Sequence, residues 1–348
     1  MAHVSLRDIA RDADVSFQTA SKALRGTGRV APATRARIQE VAQRLGYVPN
    51  TVARSLATRN THSLGFVASG MASYVLTPLM HGVEREATAN GYFSIFTLAE
   101  PGDHAEHLVR QLSERRVEGI VGAALAHQGN AGYAAAIRSL PFAVTVFDIA
   151  GGGVPAVSID ERHTGLIATR HLIRLGHRCI VQIVGEPMTN PHMGRYAGYL
   201  DGLESAGIVP PSDGIDAGYW TADGGYRAAG RILDRVPHLT AIFAHNDHMA
   251  IGAIRAVLDR GLRVPDDISI IGCDDIDLAG FVTPALTTVQ IPFAALGAAA
   301  VRALLAQTCQ DRPATSTPPA ALLRAELIIR RTTGPSPGSG SVPSRADG

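Results

Sequence analysis

From Ser63 to about residue 290 the chain alternates short apolar runs with amphipathic stretches, and this alternation limits the possible folds more than any other feature. Runs at Leu64–Ala68, Tyr92–Leu98, Gly119–Leu125, Phe142–Phe147, Cys179–Val184, Ala241–Ala244 and Ile268–Gly272 are brief and uninterrupted. Strands covered on both faces of a parallel sheet have that character. Helical spacing fills the gaps at Leu79–Ala89, His104–Arg115, Thr164–Leu175, Arg195–Ala206, Gly225–Asp234 and Met249–Arg260. Several of these end in glycine, as at Asn90-Gly91, Leu175-Gly176 and Arg260-Gly261, where a left-handed residue closes a helix. The pattern predicts an α/β core, residues 62–332, made of two doubly wound lobes. The first takes about 62–160 and 291–320, the second about 161–290 and 321–332. Residues 333–348 are rich in Gly, Ser and Pro and are expected to be a disordered tail.

The first sixty residues follow a different rule. Leu6, Ile9, Ala10 and Ala13 recur at helical spacing, a break follows at Asp14-Val15, and Ser16 stands where an N-cap belongs. Two short helices joined by so tight a turn read as a helix-turn-helix, whose second helix enters the DNA major groove. A third helix is expected from Ala33 to Leu45, after Pro32 and closed by Gly46. This head spans residues 1–49. Asn50 then caps Thr51–Ala57, a segment too short to hold a helix alone, and 50–61 is assigned as hinge and linker.

Charge divides along the same line. Residues 1–60 carry ten Arg or Lys against four acids, a surplus of six, whereas the whole chain is +1. A basic head gains free energy from counterions released off phosphates, although a solvated basic face on a helical subdomain would look the same by charge alone. Lys22, in the second helix, is the only lysine in the chain. With 46% hydrophobic and 18% charged residues the body is globular. The three cysteines, Cys179, Cys273 and Cys309, fit neither a disulfide framework nor a metal site. No secretory leader or membrane span is read, which predicts a cytoplasmic protein. Phosphate-loop, nucleophile-elbow and zinc-helix motifs are missing, so no enzyme activity, cofactor or metal is expected.

Chemistry then selects residues. Phe17, Gln18 and Lys22 share one helix face; Phe can pack on a thymine methyl, Gln can pair with adenine, and Lys can donate to guanine. Ser16, Thr19 and Ser21 suit phosphate contacts, and Arg29 in the next loop is a further candidate. Plain helix surface and caps remain the alternative. In the core, Asp148, the pair Asn246-Asp247 and the pair Asp274-Asp275 each follow a predicted strand, so all open on one crevice if the strands run parallel. A lone Asp in such a place is commonly a helix cap, and that reading is preferred for Asp247 and Asp275.

The head, Tyr47-Val48-Pro49-Asn50, Asn246-Asp247, the stretch from Val264 to Asp275 and Leu286-Thr287-Thr288-Val289 together resemble the LacI/GalR family of bacterial transcriptional repressors over nearly the whole length. Asp14 departs from the family, which usually has Gly there. The resemblance implies a homodimer whose heads bind a palindromic operator in double-stranded DNA and a periplasmic-binding-protein-like core with its ligand between the lobes. It places Phe17, Gln18 and Lys22 at base-reading positions, Asn50 and Ala53 in a DNA-bound hinge, and Leu56 as a minor-groove wedge. Gly194–Gly198, Gly218–Ala222, Phe293 and Leu323–Thr333 are similar to the family's galactoside-responsive members, which implies a sugar effector held by Asp148, Arg195, Trp220, Asn246, Asp274 and Phe293. The facing wall, Met71–Val75, is only loosely similar. No leucine heptad follows residue 333, so a dimer rather than a tetramer is expected. A cytoplasmic sugar carrier without a DNA role, or a regulator whose ligand acts as co-repressor, are the alternatives.

Overall fold

The computed structural model describes residues 4–48, 60–69, 72–99, 105–124, 131–147, 154–185, 190–308 and 321–337. The chain divides into a helical unit, Met1–Thr61, and an α/β unit, His62–Gly348.

The helical unit holds α1 (Leu6–Asp12), α2 (Phe17–Leu24) and α3 (Pro32–Arg44). A capping box starts α1: Ser5 Oγ accepts from Asp8 N, and the Asp8 carboxylate accepts from Ser5 N at 3.0 Å. Asp14 turns the chain with φ at +49°, a conformation that glycine adopts without penalty and that Asp tolerates. Ser16 caps α2, its hydroxyl accepting from Thr19 N at 3.1 Å. Ile9, Ala13, Ala23, Ile38, Val41 and Ala42 pack into one small core. So little apolar area leaves the unit marginal in stability.

The α/β unit holds two six-stranded sheets. The first runs β11-β5-β4-β3-β1-β2 and the second β12-β10-β9-β8-β6-β7. Their strands are β1 (Ser63–Ser69), β2 (Phe93–Ala99), β3 (Gly119–Ala124), β4 (Ala143–Val146), β5 (Ala156–Ile159) and β11 (Ala321–Leu323), then β6 (Ile180–Val184), β7 (Ile215–Ala217), β8 (Ala241–Ala244), β9 (Ser269–Asp274), β10 (Thr287–Gln290) and β12 (Glu326–Ile328). All neighbours are parallel except β10 and β12. β4, β6, β8 and β9 are buried along their whole length, which is why they appear in the sequence as unbroken apolar runs. Both sheets share one strand order, and each reverses direction beside its first strand. That topological switch opens a crevice at the carboxyl ends of the strands.

Two boundaries differ from expectation. β11 pairs with β5, so the chain returns to the second lobe between Leu323 and Glu326 rather than at residue 321. The tail does not lose order at 333: Thr333 Oγ1 meets His171 Nε2 at 2.9 Å, Gly334 N donates to Ser269 Oγ at 3.0 Å, and Ser336 N donates to the Leu175 carbonyl at 2.8 Å. Backbone partners on the second lobe outweigh the composition of this short stretch. Residues 338–348 lie outside the described residues.

Candidate functional site

In the head, burial separates the two faces of α2. Ala20 and Ala23 are buried, whereas Ser16, Phe17, Gln18 and Lys22 are exposed and Thr19 and Ser21 are half-exposed. Phe17 leaves 51% of its surface in water, an arrangement that suits a surface made for contact. Thr19 is already held by the Ser16 cap, their hydroxyls 2.8 Å apart. Arg29 is exposed in the loop before α3. Arg35 donates to the Ala23 carbonyl at 3.3 Å and so fixes α2 against α3 at its C-terminal end. Asn50, Ala53 and Leu56 lie outside the described residues.

In the core, four of the six residues expected in the crevice come together. Helix α7 (Glu161–Arg174) and helix α8 (Asn190–Ser205) cross so closely that a Cβ on Gly165 would strike the Arg195 carbonyl and one on Gly198 the Arg162 carbonyl. The crossing drives Arg195 under the crevice. Its Nε donates to Glu161 Oε2 at 2.7 Å, its Nη2 lies 3.7 Å from Asp274 Oδ1, and its Nη1 donates to the His245 carbonyl. All three charged side chains are buried. One guanidinium thus faces two carboxyls. Burial pushes Asp274 well above the ordinary carboxylate range against the pull of Arg195, and Glu161 is raised for the same reason.

Asn246 ends the β8 loop and caps α10 (Asp247–Asp259), its Oδ1 accepting from Met249 N at 2.9 Å. Its Nδ2 donates to the Trp220 carbonyl at 3.0 Å and to the Tyr74 hydroxyl at 2.8 Å. Tyr74 belongs to the first lobe, in α4 (Ser73–Ala89), so this bond crosses the crevice. The same hydroxyl reaches Asp274, and burial raises its pKa. The Tyr74 ring stands 4.7 Å from that of His248, also across the lobes. Trp220 lies 6.0 Å from the Arg195 guanidinium, and any Cβ on Gly185 would collide with its indole. Phe293, at the start of α11 (Phe293–Thr308), is buried in the first lobe edge-on to Phe147 at 6.4 Å. Asp148 lies outside the described residues.

The caps fall differently from the sequence reading. Asn246, not Asp247, caps α10. Asp247 is buried, accepts from Thr288 Oγ1 at 2.5 Å and Ile276 N at 2.9 Å, and is pushed up to about 7 by its burial. Asp275 accepts from Gln290 Nε2 at 2.8 Å and Arg330 Nη2 at 2.7 Å, and so ties β9 to later segments instead of capping a helix. Nothing in the sequence singles out Glu161. It reads as an ordinary acid in a first helical turn, and the glycines at 165, 194 and 198 were the available sign of a close helix crossing beside it.

Backbone geometry singles out the same crevice. Among the described residues, eight that are not glycine have positive φ, and five of them (Phe147, Tyr219, Trp220, Asp274 and Asp275) sit at the carboxyl ends of strands. Such conformations cost free energy and cluster where side chains are aimed at a ligand. Amide, carboxyl and phenol groups with an indole beside them match a small polar molecule with an apolar face. No group of metal-binding side chains occurs among the described residues, and none of their helices is long and apolar enough to cross a membrane.

Comparison with known proteins gives the same two units. Residues 5–50 match the bacterial regulatory proteins, lacI family, and residues 169–333 match a periplasmic binding protein-like domain. The chain is 33% identical to the HTH-type transcriptional repressor PurR of Proteus mirabilis (strain HI4320), over 96% of this chain and 98% of that one. It superposes on a crystal structure of the lac repressor dimer bound to operator and the anti-inducer ONPF with a TM-score of 0.84 at 27% identity, over 96% of this chain and 100% of the other. A transcriptional regulator CelR–cellobiose complex matches with a TM-score of 0.71 at 27% identity, over 95% and 100%. A capped α2 with an exposed reading face, followed by two lobes around a polar crevice, is therefore inherited architecture, and the chain belongs to the LacI family of DNA-binding transcriptional repressors.

Proposed function

We propose that the protein acts as a homodimer on a palindromic operator and that a glycoside or related sugar in the crevice between its lobes releases it. Arg195, Asn246 and Asp274 converge there with Trp220, and this convergence carries the reading. Asn246 both donates and accepts, Asp274 offers carboxyl oxygens, and Trp220 offers a face for the C–H side of a pyranose. The Tyr74–Asn246 bond joins the lobes where a ligand hydroxyl would also bind, so occupancy and lobe position are coupled. A ligand shifts the equilibrium only by its preference for one arrangement. Asp148 and Phe293 are assigned to the same pocket and Met71–Val75 to its facing wall.

On DNA, Phe17, Gln18 and Lys22 read bases, Ser16, Thr19, Ser21 and Arg29 hold phosphates, and Asn50, Ala53 and Leu56 form the hinge. Similarity to lac repressor bound to operator supports this assignment. Similarity to a cellobiose-bound regulator supports a sugar. A purine or other planar base, acting as co-repressor, is the second reading: PurR is a near full-length relative, and the Trp220 face would stack on a ring as readily as on a sugar. A thermal-shift panel of mono- and disaccharides and purine bases separates the two, because a cleft ligand stabilises the native state by mass action. Stabilisation by saccharides alone supports the glycoside reading, and stabilisation by bases alone removes it.

A further inference from the structure

We propose that Glu161 sets the charge class of the effector: by holding Arg195 it makes the crevice accept neutral or ammonium-bearing molecules and reject anionic ones such as uronates and sugar phosphates. The proposal rests on the reading of the crevice as the effector site and adds what that site selects.

A buried arginine at the floor of a binding crevice would ordinarily be a fork for carboxylate or phosphate. Here the fork is already engaged. Glu161 takes Nε at 2.7 Å and lies 3.4 Å from Nη2, Asp274 lies 3.7 Å from Nη2, and the His245 carbonyl takes Nη1. One guanidinium stands against two carboxyl groups and a carbonyl, so its donors are directed at protein oxygens and not at a ligand anion. Further charge does not come from the neighbours. His245 is buried and held well toward neutrality by that burial, with Arg195 and His192 adding to the effect, and burial also lowers His192 and His248. Asp247 and Asp275, the other acids beside β9, bring no cation, and Arg330 is spent on Asp275 at 2.7 Å. Among the described residues, an anionic ligand would therefore meet no unspent cation at the floor of the crevice. An ammonium group would meet the Asp274 carboxyl as an ionic partner.

Glu161 acts through Arg195 and is a positioning residue. Glu161→Gln keeps an acceptor for Arg195 Nε, so the fold is expected to survive, but it removes the nearest ionic partner of the guanidinium and leaves only the more distant Asp274 at 3.7 Å. The test is calorimetric titration of the full-length wild type and Glu161→Gln with galactose, galactosamine, galacturonate and inorganic phosphate, alongside the glucose series. In the wild type, each uronate is expected to bind at least tenfold more weakly than its neutral parent, and the amino sugar at least as tightly. Glu161→Gln is expected to gain at least tenfold for uronate or phosphate, a reversal that general loosening of the fold would not produce. A wild type that binds uronate within tenfold of the neutral sugar overturns the proposal, as does a folded Glu161→Gln, or Glu161→Met if the first does not fold, with no gain for either anion. If no sugar of any charge binds the wild type while the variant gains phosphate, the sugar reading fails and the role of Glu161 stands.

Discussion

Arg195→Met keeps most of the side-chain volume and deletes the cation shared by Glu161 and Asp274. At 2.7 and 3.7 Å, in an effective dielectric of about 20, the two attractions amount to about 6 and about 4.5 kcal/mol. Desolvation and the repulsion between the carboxyls offset much of this, and removing one partner of a buried pair costs about 3–5 kcal/mol. For a lobe of this size that corresponds to a fall in Tm of about 10 °C at pH 8. The sign of the pH dependence follows from linkage. Burial already raises both carboxyls above their unfolded values, and without Arg195 they rise further. The folded variant then binds more protons than the unfolded chain, so its stability falls as pH rises through the carboxylate range toward the raised pKa values. Its deficit against wild type should therefore shrink at pH 5. Thermal melts of both proteins at pH 5 and pH 8 read this directly. An unchanged Tm at pH 8, or a deficit that widens toward pH 5, would refute the shared-cation account. The same variant should keep operator affinity but lose its response to ligand.

Other outcomes follow from the same geometry. Asp247→Asn should flatten the decline in stability between about pH 4 and pH 7, since the folded pKa of about 7 makes wild-type stability fall as pH rises through that window; parallel melting curves would contradict it. Trp220 is the only tryptophan, so its emission should change on ligand binding, and Gly185→Ala, which displaces the indole, should abolish that change. Gln18→Ala should cost about 1–3 kcal/mol of discrimination at one base position while leaving the salt dependence of non-specific binding intact, as read by anisotropy on mismatched duplexes. Ending the chain at Thr332 removes partners of His171, His177, Ser269, Thr287 and the Leu175 carbonyl and should lower stability by about 3–6 kcal/mol, at roughly 1 kcal/mol per lost bond.

What the sequence discloses depends on how far apart the cause and its consequence lie. Strands buried on both faces announce themselves, and β6, β8 and β9 match their apolar runs to within one or two residues. The Ser16 cap and the Pro32 start are local chemistry and equally legible. β5, β7, β11 and β12 are not: they have three or four residues each, none of them is buried throughout, and their pairing comes from neighbours far away in the chain. The matching strand order of the two sheets leaves no repeat in the sequence, because it is a property of connections rather than of side chains. Strand ends and family motifs mark Arg195, Trp220, Asn246 and Asp274 in the sequence, and the structure brings these four together. Glu161 was missed because its partner lies 34 positions away and meets it only through the crossing of two helices. The order of Thr333–Pro337 was missed for a similar reason: composition describes a stretch without knowing what surface awaits it.

The central claim is that occupancy of the crevice governs the grip of the head on DNA. It is tested most directly by anisotropy of a labelled palindromic duplex, selected for binding to the full-length protein, titrated with and without each compound that alters Trp220 emission. Affinity should fall steeply with salt and change at least fivefold when the crevice is filled. A compound that saturates the Trp220 signal and leaves duplex affinity untouched would contradict the account.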